Sequence, residues 1–567
     1  MNLSGLNIKG NITTADADRV RYSHDASIFE VKPEVIIYPK DSEDVQNLVK
    51  WVSEHKGEQP NLSLTARAAG TDMSGGPLNE SIILDFTKYF NHVLEVANRS
   101  GLLSGYAITE PGVYYRDFEK ETLSKGLLLP SYPASRDLCA MGGIVANNAG
   151  GEKSLSYGKT EKYVEELSVV LSDGKEYVFH ALTPEQLEVK KSQQDFEGQI
   201  YRETHALIEN NYDVIQSAKP NVSKNSAGYY LWNVCSPAEA SAKAGDRRWK
   251  TFDLNKLFVG SQGTLGLITK IKLKLIKPKP YSKLFVIFLK DLALLGDLVN
   301  AVMKFKPESF ETYDDQTLKL VLRFLPDLIK KMKGSALSLF FEFLPEATMV
   351  VTGGLPKMVL LAEFTGDSES EVDEKLKLAQ EVAESFGVKT HITKDLQEAE
   401  KYWTIRRESF ALLRKHVGNE HTAPFIDDVI VHVDQLPSFL PKLNELVSQY
   451  KGLTYTIAGH AGDANFHVIP LMDFTDEANR QAIPELSEKV YDLVISLHGS
   501  ITAEHNDGLI RTPYLEKMYG PKIIELFKQT KNIFDPQNIF NPGKKVPSTG
   551  SGQVGDMAYA LAHISKE

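Results

Sequence analysis

The stretch Cys139-Ala-Met-Gly-Gly-Ile-Val-Ala-Asn-Asn-Ala-Gly-Gly151 is built largely from small residues. A chain uses such a run when backbone amides must converge on an anionic ligand, because larger side chains would block the approach. Two further stretches share its character, Arg67-Ala-Ala-Gly-Thr-Asp-Met-Ser-Gly-Gly76 and Val259-Gly-Ser-Gln-Gly-Thr-Leu-Gly-Leu-Ile-Thr269. Each follows or ends an apolar segment, and Thr71, Ser74 and Ser261 add hydroxyl donors. A single loop of this kind is usually an ordinary tight turn, whereas three in one domain point to an anionic cofactor.

Around the first loop the pattern is α/β. Pro33-Glu-Val-Ile-Ile-Tyr-Pro39 reads as a strand, Asp41-Ser-Glu as a helix start, and Val45, Leu48, Val49 and Val52 as the buried face of that helix. Strands are expected at Leu62–Arg67 and Ile82–Asp85, and at Thr269–Leu275, where Lys alternates with Ile or Leu. That alternation predicts one wet face, of the kind that protects an edge from aggregation. Pro278-Lys-Pro280 marks a domain boundary. Beyond it, strands at Leu284–Leu289 and Met358–Phe364 alternate with helices at 311–333 and 368–386, which fits an α+β cap with an antiparallel sheet. The expected organisation is residues 1–280 with an insertion at about 181–250, a cap at 281–480, a helical segment at 481–547 and a tail at 548–567. Ser548–Gly555 reads as mobile, Leu337–Leu344 as a core strand or a docking patch, and Asn225-Ser-Ala-Gly-Tyr-Tyr230 is the one recognisable piece of the insertion.

Composition removes several classes of function. The 567 residues are 42% hydrophobic and 25% charged, enough for large cores, and Lys plus Arg at 64 against Asp plus Glu at 75 leaves a formal charge of −11. Nucleic acid finds no global basic footprint on such a chain, and anionic membrane surfaces are repelled. Two cysteines, Cys139 and Cys235, are too few for a disulfide framework or an iron–sulfur cluster. Cys139 is expected to be a buried packing thiol. No run of ~18 apolar residues suggests a spanning helix, so the expected location is cytoplasmic, with peripheral contact at the inner face of a membrane still compatible.

Familiar motifs fail. Gly158-Lys159-Thr160 resembles the end of a phosphate loop, but Lys153 occupies its first glycine position. Gly260, Gly263 and Gly266 are spaced by three and do not form the dinucleotide fingerprint. Neither HExxH nor GxSxG occurs.

A second constellation is chemical. Thr454–Ala458 and Phe466–Pro470 read as strands joined by the glycine-rich turn Gly459–Asn465, a hairpin with His460 and His467 near its mouth. Two imidazoles joined by Glu504 would form a three-ligand divalent metal site with an open position for substrate. Two histidines capping a polar turn are the alternative.

The three loops, with Pro130-Ser-Tyr-Pro-Ala-Ser135 and Tyr157-Gly158 flanking the second, resemble the flavin domain of the vanillyl-alcohol oxidase and p-cresol methylhydroxylase fold. Adding Ile457-Ala-Gly-His-Ala-Gly-Asp-Ala-Asn-Phe-His467, Ser500-Ile-Thr-Ala-Glu-His505 and the coda ending at Gly543, the chain is similar to the branch of D-lactate dehydrogenase, D-2-hydroxyglutarate dehydrogenase and the glycolate oxidase flavin subunit. The resemblance covers about residues 30–545. It implies an α+β fold in two parts, a flavin domain and an antiparallel-sheet cap with C-terminal helices. It implies non-covalent FAD, held by Arg67, Ala68, Ala69, Gly70, Thr71, Asp72 and Ser74, by Pro133, Ser135, Gly142, Gly143, Asn147, Asn148, Gly150 and Tyr157, and by Gly263, Leu265 and Ile268.

The same resemblance implies oxidation of a small D-2-hydroxyacid to the 2-oxoacid. His460, His467 and Glu504 would be ligands of zinc, manganese or iron, His505 the general base, Arg406 the partner of the substrate carboxylate, and Asn465 a neighbouring catalytic residue. Electrons would pass to a quinone, a soluble carrier or an iron–sulfur partner subunit. The segment Pro424-Phe-Ile-Asp-Asp428 lacks a lysine expected for a second substrate carboxylate. Ala68 and Ala464 stand where glycines are usual and Gln262 where glutamate is usual. An alcohol or sugar oxidase and a non-redox enzyme of the alkyl-dihydroxyacetone-phosphate synthase type share the fold and stay as alternatives.

Overall fold

A computed structural model describes residues 1, 3–99, 104–237, 249–323, 354–416, 420–450, 453–547 and 555–566. The first sheet has the order Asn11–Thr13, Val35–Tyr38, Ile82–Asp85, Leu64–Arg67, with the last three strands parallel. The helix Ser42–His55 covers it. Asp41 starts that helix by accepting the Asp44 N–H at 3.1 Å, a cap that contributes ~1 kcal/mol, and Val45, Leu48, Val49 and Val52 are buried as their spacing predicts.

The second sheet is antiparallel, in the order Val93–Asn98, Ser104–Thr109, Leu267–Ile276, Val164–Val170, Glu176–His180. The lysine-bearing strand Leu267–Ile276 is therefore central, and the expectation that its lysines guard an edge is corrected. Lys270 and Lys274 instead make the solvated face of an interior strand, while Ile271, Leu273 and Leu275 are buried. Within the insertion, helices Pro184–Ser192, Phe196–Asn210 and Tyr212–Ser217 precede a buried stretch running from Lys224 to Leu231.

The eight-stranded sheet of the second half begins at Tyr281, directly after Pro278-Lys-Pro280. Its order is Lys389–Ile392, Tyr281–Leu289, Met358–Gly366, Ser309–Asp314, Thr454–His460, Asn465–Met472, His421–Thr422, with Val429–Ile430 also pairing Asn465–Met472. The helix expected over 311–333 is corrected at its start: Ser309–Asp314 is a fully buried strand and the helix is Asp315–Arg323. Burial on both faces gives Phe310–Tyr313 no amphipathic period to read. Leu337–Leu344 and residues 548–554 lie outside the described residues. Residues 555–566 pack back on the chain: Phe29 bridges to Ile564, and Glu30 N–H donates to His563 O at 2.8 Å.

Candidate active site

The three small-residue loops converge. Gly260 N–H donates to Val145 O at 2.9 Å and Gln262 N–H to Ala146 O at 2.9 Å, tying the third loop to the second. Gln262 Nε2 donates to Asp72 Oδ2 at 3.0 Å, tying the third loop to the first. The segment after Glu504 closes the arrangement: Gly508 N–H donates to Gln262 Oε1 at 2.9 Å and Leu509 N–H to Ser74 O at 2.8 Å. Between the loops two glycine positions leave space for a methyl group. A Cβ added at Gly143 would meet only Ala68 Cβ, at 3.7 Å, and one added at Gly263 only Ala66 Cβ, at 3.7 Å. Ala68 is thus accommodated where a glycine is usual. A polar cavity of about 560 Å³ opens at the C-terminal ends of the parallel strands, lined among others by Arg67, Ala68, Ala69, Lys88 and Tyr114. Ligands of open α/β sheets bind at that end of the strands.

The hairpin Thr454–His460 and Asn465–Met472 forms as expected, with Ala458 opposite His467 and His460 opposite Asn465. His460 Nε2 and His467 Nε2 face each other at 3.4 Å, and Glu504 Oε2 stands 3.3 Å from His460 Nε2. The three expected ligands are brought together. Each ring is held from behind by a carboxylate: Glu311 Oε1 lies 2.6 Å from His460 Nδ1, and Asp427 Oδ1 lies 3.0 Å from His467 Nδ1. A carboxylate there keeps the ring proton on Nδ1, so two Nε2 lone pairs and a carboxylate oxygen point at one another. With the rings neutral, that donor set could hold a divalent cation at its centre. Asp428, His467, Glu504 and His505 also offer ligand atoms within 4.8 Å of one another. Asp428 is already committed, however: Oδ2 accepts from Thr502 Oγ1, Glu504 N and His505 N, each at 2.7 Å, and Oδ1 accepts from Asn465 Nδ2 at 3.1 Å.

Electrostatics follow the same contacts. Burial works against a charged His460, but Glu311 and Glu504 outweigh it and raise its pKa to about 9. Burial likewise opposes a charged His505, while Asp427 and Asp428 raise it to about 9. Asp427 and Glu504 are held well below the usual carboxylate range despite burial, Asp427 by His505 and His467 and Glu504 by His460 and Lys224. His505 stacks on His467, ring centroids 5.0 Å apart, and its Nδ1 lies 2.6 Å from Asp427 Oδ2.

Arg406 sits on the helix Leu396–His416 with Nη2 3.3 Å from Glu311 Oε2, so it touches the carboxylate that holds His460. Asn465 is fully buried; its Nδ2 donates to Asp428 and Val429 O, and its Oδ1 has no hydrogen-bond partner. Cys139 packs as expected, burial pushing its thiol up to about 12. Four site residues escaped the sequence reading. Glu311 lay in a stretch read as helix. Asp427 and Asp428 sit at the end of the segment Pro424–Asp428, where no periodicity marks them. Lys224 immediately precedes the recognisable piece of the insertion, and its Nζ is 2.7 Å from Glu504 Oε1 and 2.9 Å from Asp463 Oδ2.

Residues 33–179 match the FAD binding domain family, and residues 279–545 match the C-terminal domain of FAD linked oxidases. The chain is 26% identical over 556 residues to a D-2-hydroxyglutarate dehydrogenase of Pseudomonas putida, covering 97% of this chain and 52% of that protein. It thus spans about half the length of that relative. It is 27% identical over 547 residues to the glycolate oxidase subunit GlcD of Bacillus subtilis, covering 94% of this chain and 93% of that one. To a D-lactate dehydrogenase of Archaeoglobus fulgidus it is 25% identical, covering 90% and 91%. Among solved structures, p-cresol methylhydroxylase with substrate bound superposes with a TM-score of 0.65 at 17% identity, over 94% of this chain and 93% of that one, which shows the fold. Among the described residues no helix is long and apolar enough to cross a membrane.

Proposed function

This chain joins an FAD binding domain to the C-terminal domain of the FAD linked oxidases, and we propose on that basis that it oxidises a D-2-hydroxyacid to the 2-oxoacid, assisted by a divalent ion at His460, His467 and Glu504. One observation carries the reading: the flavin loop and the histidine cluster touch. A Cβ at Gly150 would lie 3.0 Å from Glu504 Oε1 and 2.9 Å from Ser154 Oγ, so the second loop passes directly beneath the candidate ligand. A substrate carbon held by the cluster therefore lies against the loop that would support the flavin.

FAD would take the polar cavity beside Arg67, Ala68 and Ala69, and when bound it would supply the acceptor for a hydride from Cα while the ion would polarise the substrate hydroxyl. The chain's own residues do the rest. His505, its Nδ1 fixed by Asp427, presents Nε2 to take the hydroxyl proton in its neutral form, which the charge of a bound ion would favour against the pull of Asp427 and Asp428. Arg406 would meet the substrate carboxylate from beside Glu311. Asn465 Oδ1 is a buried acceptor without a hydrogen-bond partner. Two cysteines are too few to hold an iron–sulfur cluster, so electrons would leave for an external quinone, a soluble carrier or an iron–sulfur partner.

Anaerobic addition of paired D- and L-2-hydroxyacids to the FAD-loaded protein tests this. Bleaching of the flavin absorbance by a D-hydroxyacid, lost after chelation with FAD retained, is expected. Bleaching by primary alcohols or sugars alone, or by no substrate class, would overturn it.

A further inference from the structure

The insertion places one lysine inside the site from a direction that neither the hairpin nor the C-terminal segment supplies. Lys224 is 2% exposed, and its Nζ reaches Glu504 Oε1 at 2.7 Å and Asp463 Oδ2 at 2.9 Å. Asp463 belongs to the turn between His460 and Asn465, and Glu504 to the segment Ser500–His505. Three separate pieces of chain thus meet at one ammonium. The two oxygens of Glu504 are divided: Oε2 faces His460 Nε2 at 3.3 Å and Oε1 faces Lys224. Gly150 passes beside Oε1, where an added Cβ would lie 3.0 Å from that oxygen.

We propose that Lys224 is a positioning residue that holds Glu504 as a one-oxygen ligand, keeping the remaining coordination position for substrate. This rests on the metal reading given above. A carboxylate free to use both oxygens would take up a further position on the ion, and the ammonium occupies the second oxygen's acceptor sites so that it does not. A lysine suits the task because its compact ammonium carries three donors that can serve two carboxylates at once. Outer-shell partners of this kind typically change metal affinity 10–100-fold when removed.

The test uses the full-length FAD-loaded protein with Lys224→Met, Lys224→Gln and Asp463→Asn. Metal content after dialysis against zinc, the affinity for zinc in competition with a chelator, and the visible bands of the cobalt(II) form on the long-wavelength side of the flavin are measured beside the FAD-to-protein ratio. Lys224→Met and Lys224→Gln remove a positive charge from beside the ion and free the second Glu504 oxygen, so they are expected to bind zinc about tenfold more tightly with FAD content unchanged. Their cobalt bands should weaken, as a higher coordination number requires. Asp463→Asn leaves Lys224 on Glu504 and is expected to keep the wild-type cobalt spectrum. That variant carries the test if the Lys224 variants fail to fold, because a changed spectrum there would place the coordination mode in the turn and not in the lysine. Wild-type affinity and spectrum in Lys224→Met would overturn the role of Lys224 alone. Failure of the wild-type protein itself to take up zinc or cobalt would overturn the metal reading and this proposal with it.

Discussion

Gln262 and Asp72 form a single hydrogen bond that couples the third small-residue loop to the first, Nε2 donating to Oδ2 at 3.0 Å. The other Asp72 oxygen accepts from Ser74 N at 2.5 Å, and Gln262 Oε1 accepts from Gly508 N at 2.9 Å. An amide at position 262 can donate to the Asp72 carboxylate while accepting from Gly508; a carboxylate can do only the second.

Gln262→Glu should therefore set two carboxylates against each other and cost on the order of 1–3 kcal/mol. Asp72→Asn should also destabilise, since two amide groups then face each other. The double variant Asp72→Asn/Gln262→Glu exchanges donor and acceptor and should recover most of the loss. Urea unfolding of the four proteins, with FAD content measured beside it, checks this; strict additivity would refute the coupling.

Asp25 gives a pH dependence with a definite sign. It is partly buried beside Asp72, and burial first, then the Asp72 charge, raises its pKa from 3.8 to about 7. The folded state thus binds the Asp25 proton more tightly than the unfolded state does. Its contribution to stability is complete below 3.8 and is lost as the pH rises through about 7. Relative to Asp25→Asn, the wild-type protein should lose on the order of 2 kcal/mol between pH 5 and 8. A difference that stays flat or grows with pH over that range would contradict the assignment.

Ala464 closes the histidine hairpin with φ +54°, in the left-handed region, where glycine is the common residue. An L residue there carries roughly 1–2 kcal/mol of strain, which glycine relieves while losing ~0.5–1 kcal/mol of chain entropy and the buried methyl. Ala464→Gly should remain within about 1 kcal/mol of wild type and keep its metal. Ala464→Val adds a β-branch to the strained conformation and should lose about 1–3 kcal/mol, together with metal affinity. Thermal unfolding and zinc titration separate the two.

How much of this was legible in the sequence depends on whether a residue advertises itself locally. The glycine loops do, since small residues in a row have few other uses, and His460 and His467 are seven apart on a recognisable hairpin. Glu311 did not. It lies in a strand buried on both faces, and only the pairing of Thr312 with Gly459 brings it behind His460. Asp427, Asp428 and Lys224 come from a loop and an insertion with no periodicity, and their roles exist only through contacts 37 to 280 residues away. Nor can an alternating pattern say whether a strand is central or at an edge, which is why the lysines of Leu267–Ile276 were misplaced.

The ligand and base roles should separate by substitution. His467→Ala should lose the ion and turnover together, because the opposed His460 Nε2 and Glu504 Oε2 leave only two donors. His505→Ala should keep the ion and slow anaerobic flavin reduction roughly 10²–10⁴-fold. Metal analysis beside stopped-flow absorbance distinguishes them. Equal metal loss in both variants would make His505 a ligand and not the base.

Asp427→Asn tests the device on which both imidazoles depend. One carboxylate serves two rings, Oδ1 toward His467 Nδ1 at 3.0 Å and Oδ2 toward His505 Nδ1 at 2.6 Å. An asparagine offers one acceptor and one NH₂ group, so only one ring can keep its Nδ1 proton in place. The other ring must turn or change tautomer, and its Nε2 then points a proton where a lone pair is needed. Arg511 Nη2 already donates to the Asp427 backbone oxygen at 2.7 Å, which holds the main chain while the side chain is exchanged. If the amide oxygen stays on His505, the closer contact, His467 loses its orientation and zinc affinity should fall about 10–100-fold. If it turns to His467, the ion stays and flavin reduction alone slows. Either pattern supports the shared clamp, whereas unchanged metal binding and unchanged reduction would show that the two rings are oriented by their stacking and not by Asp427.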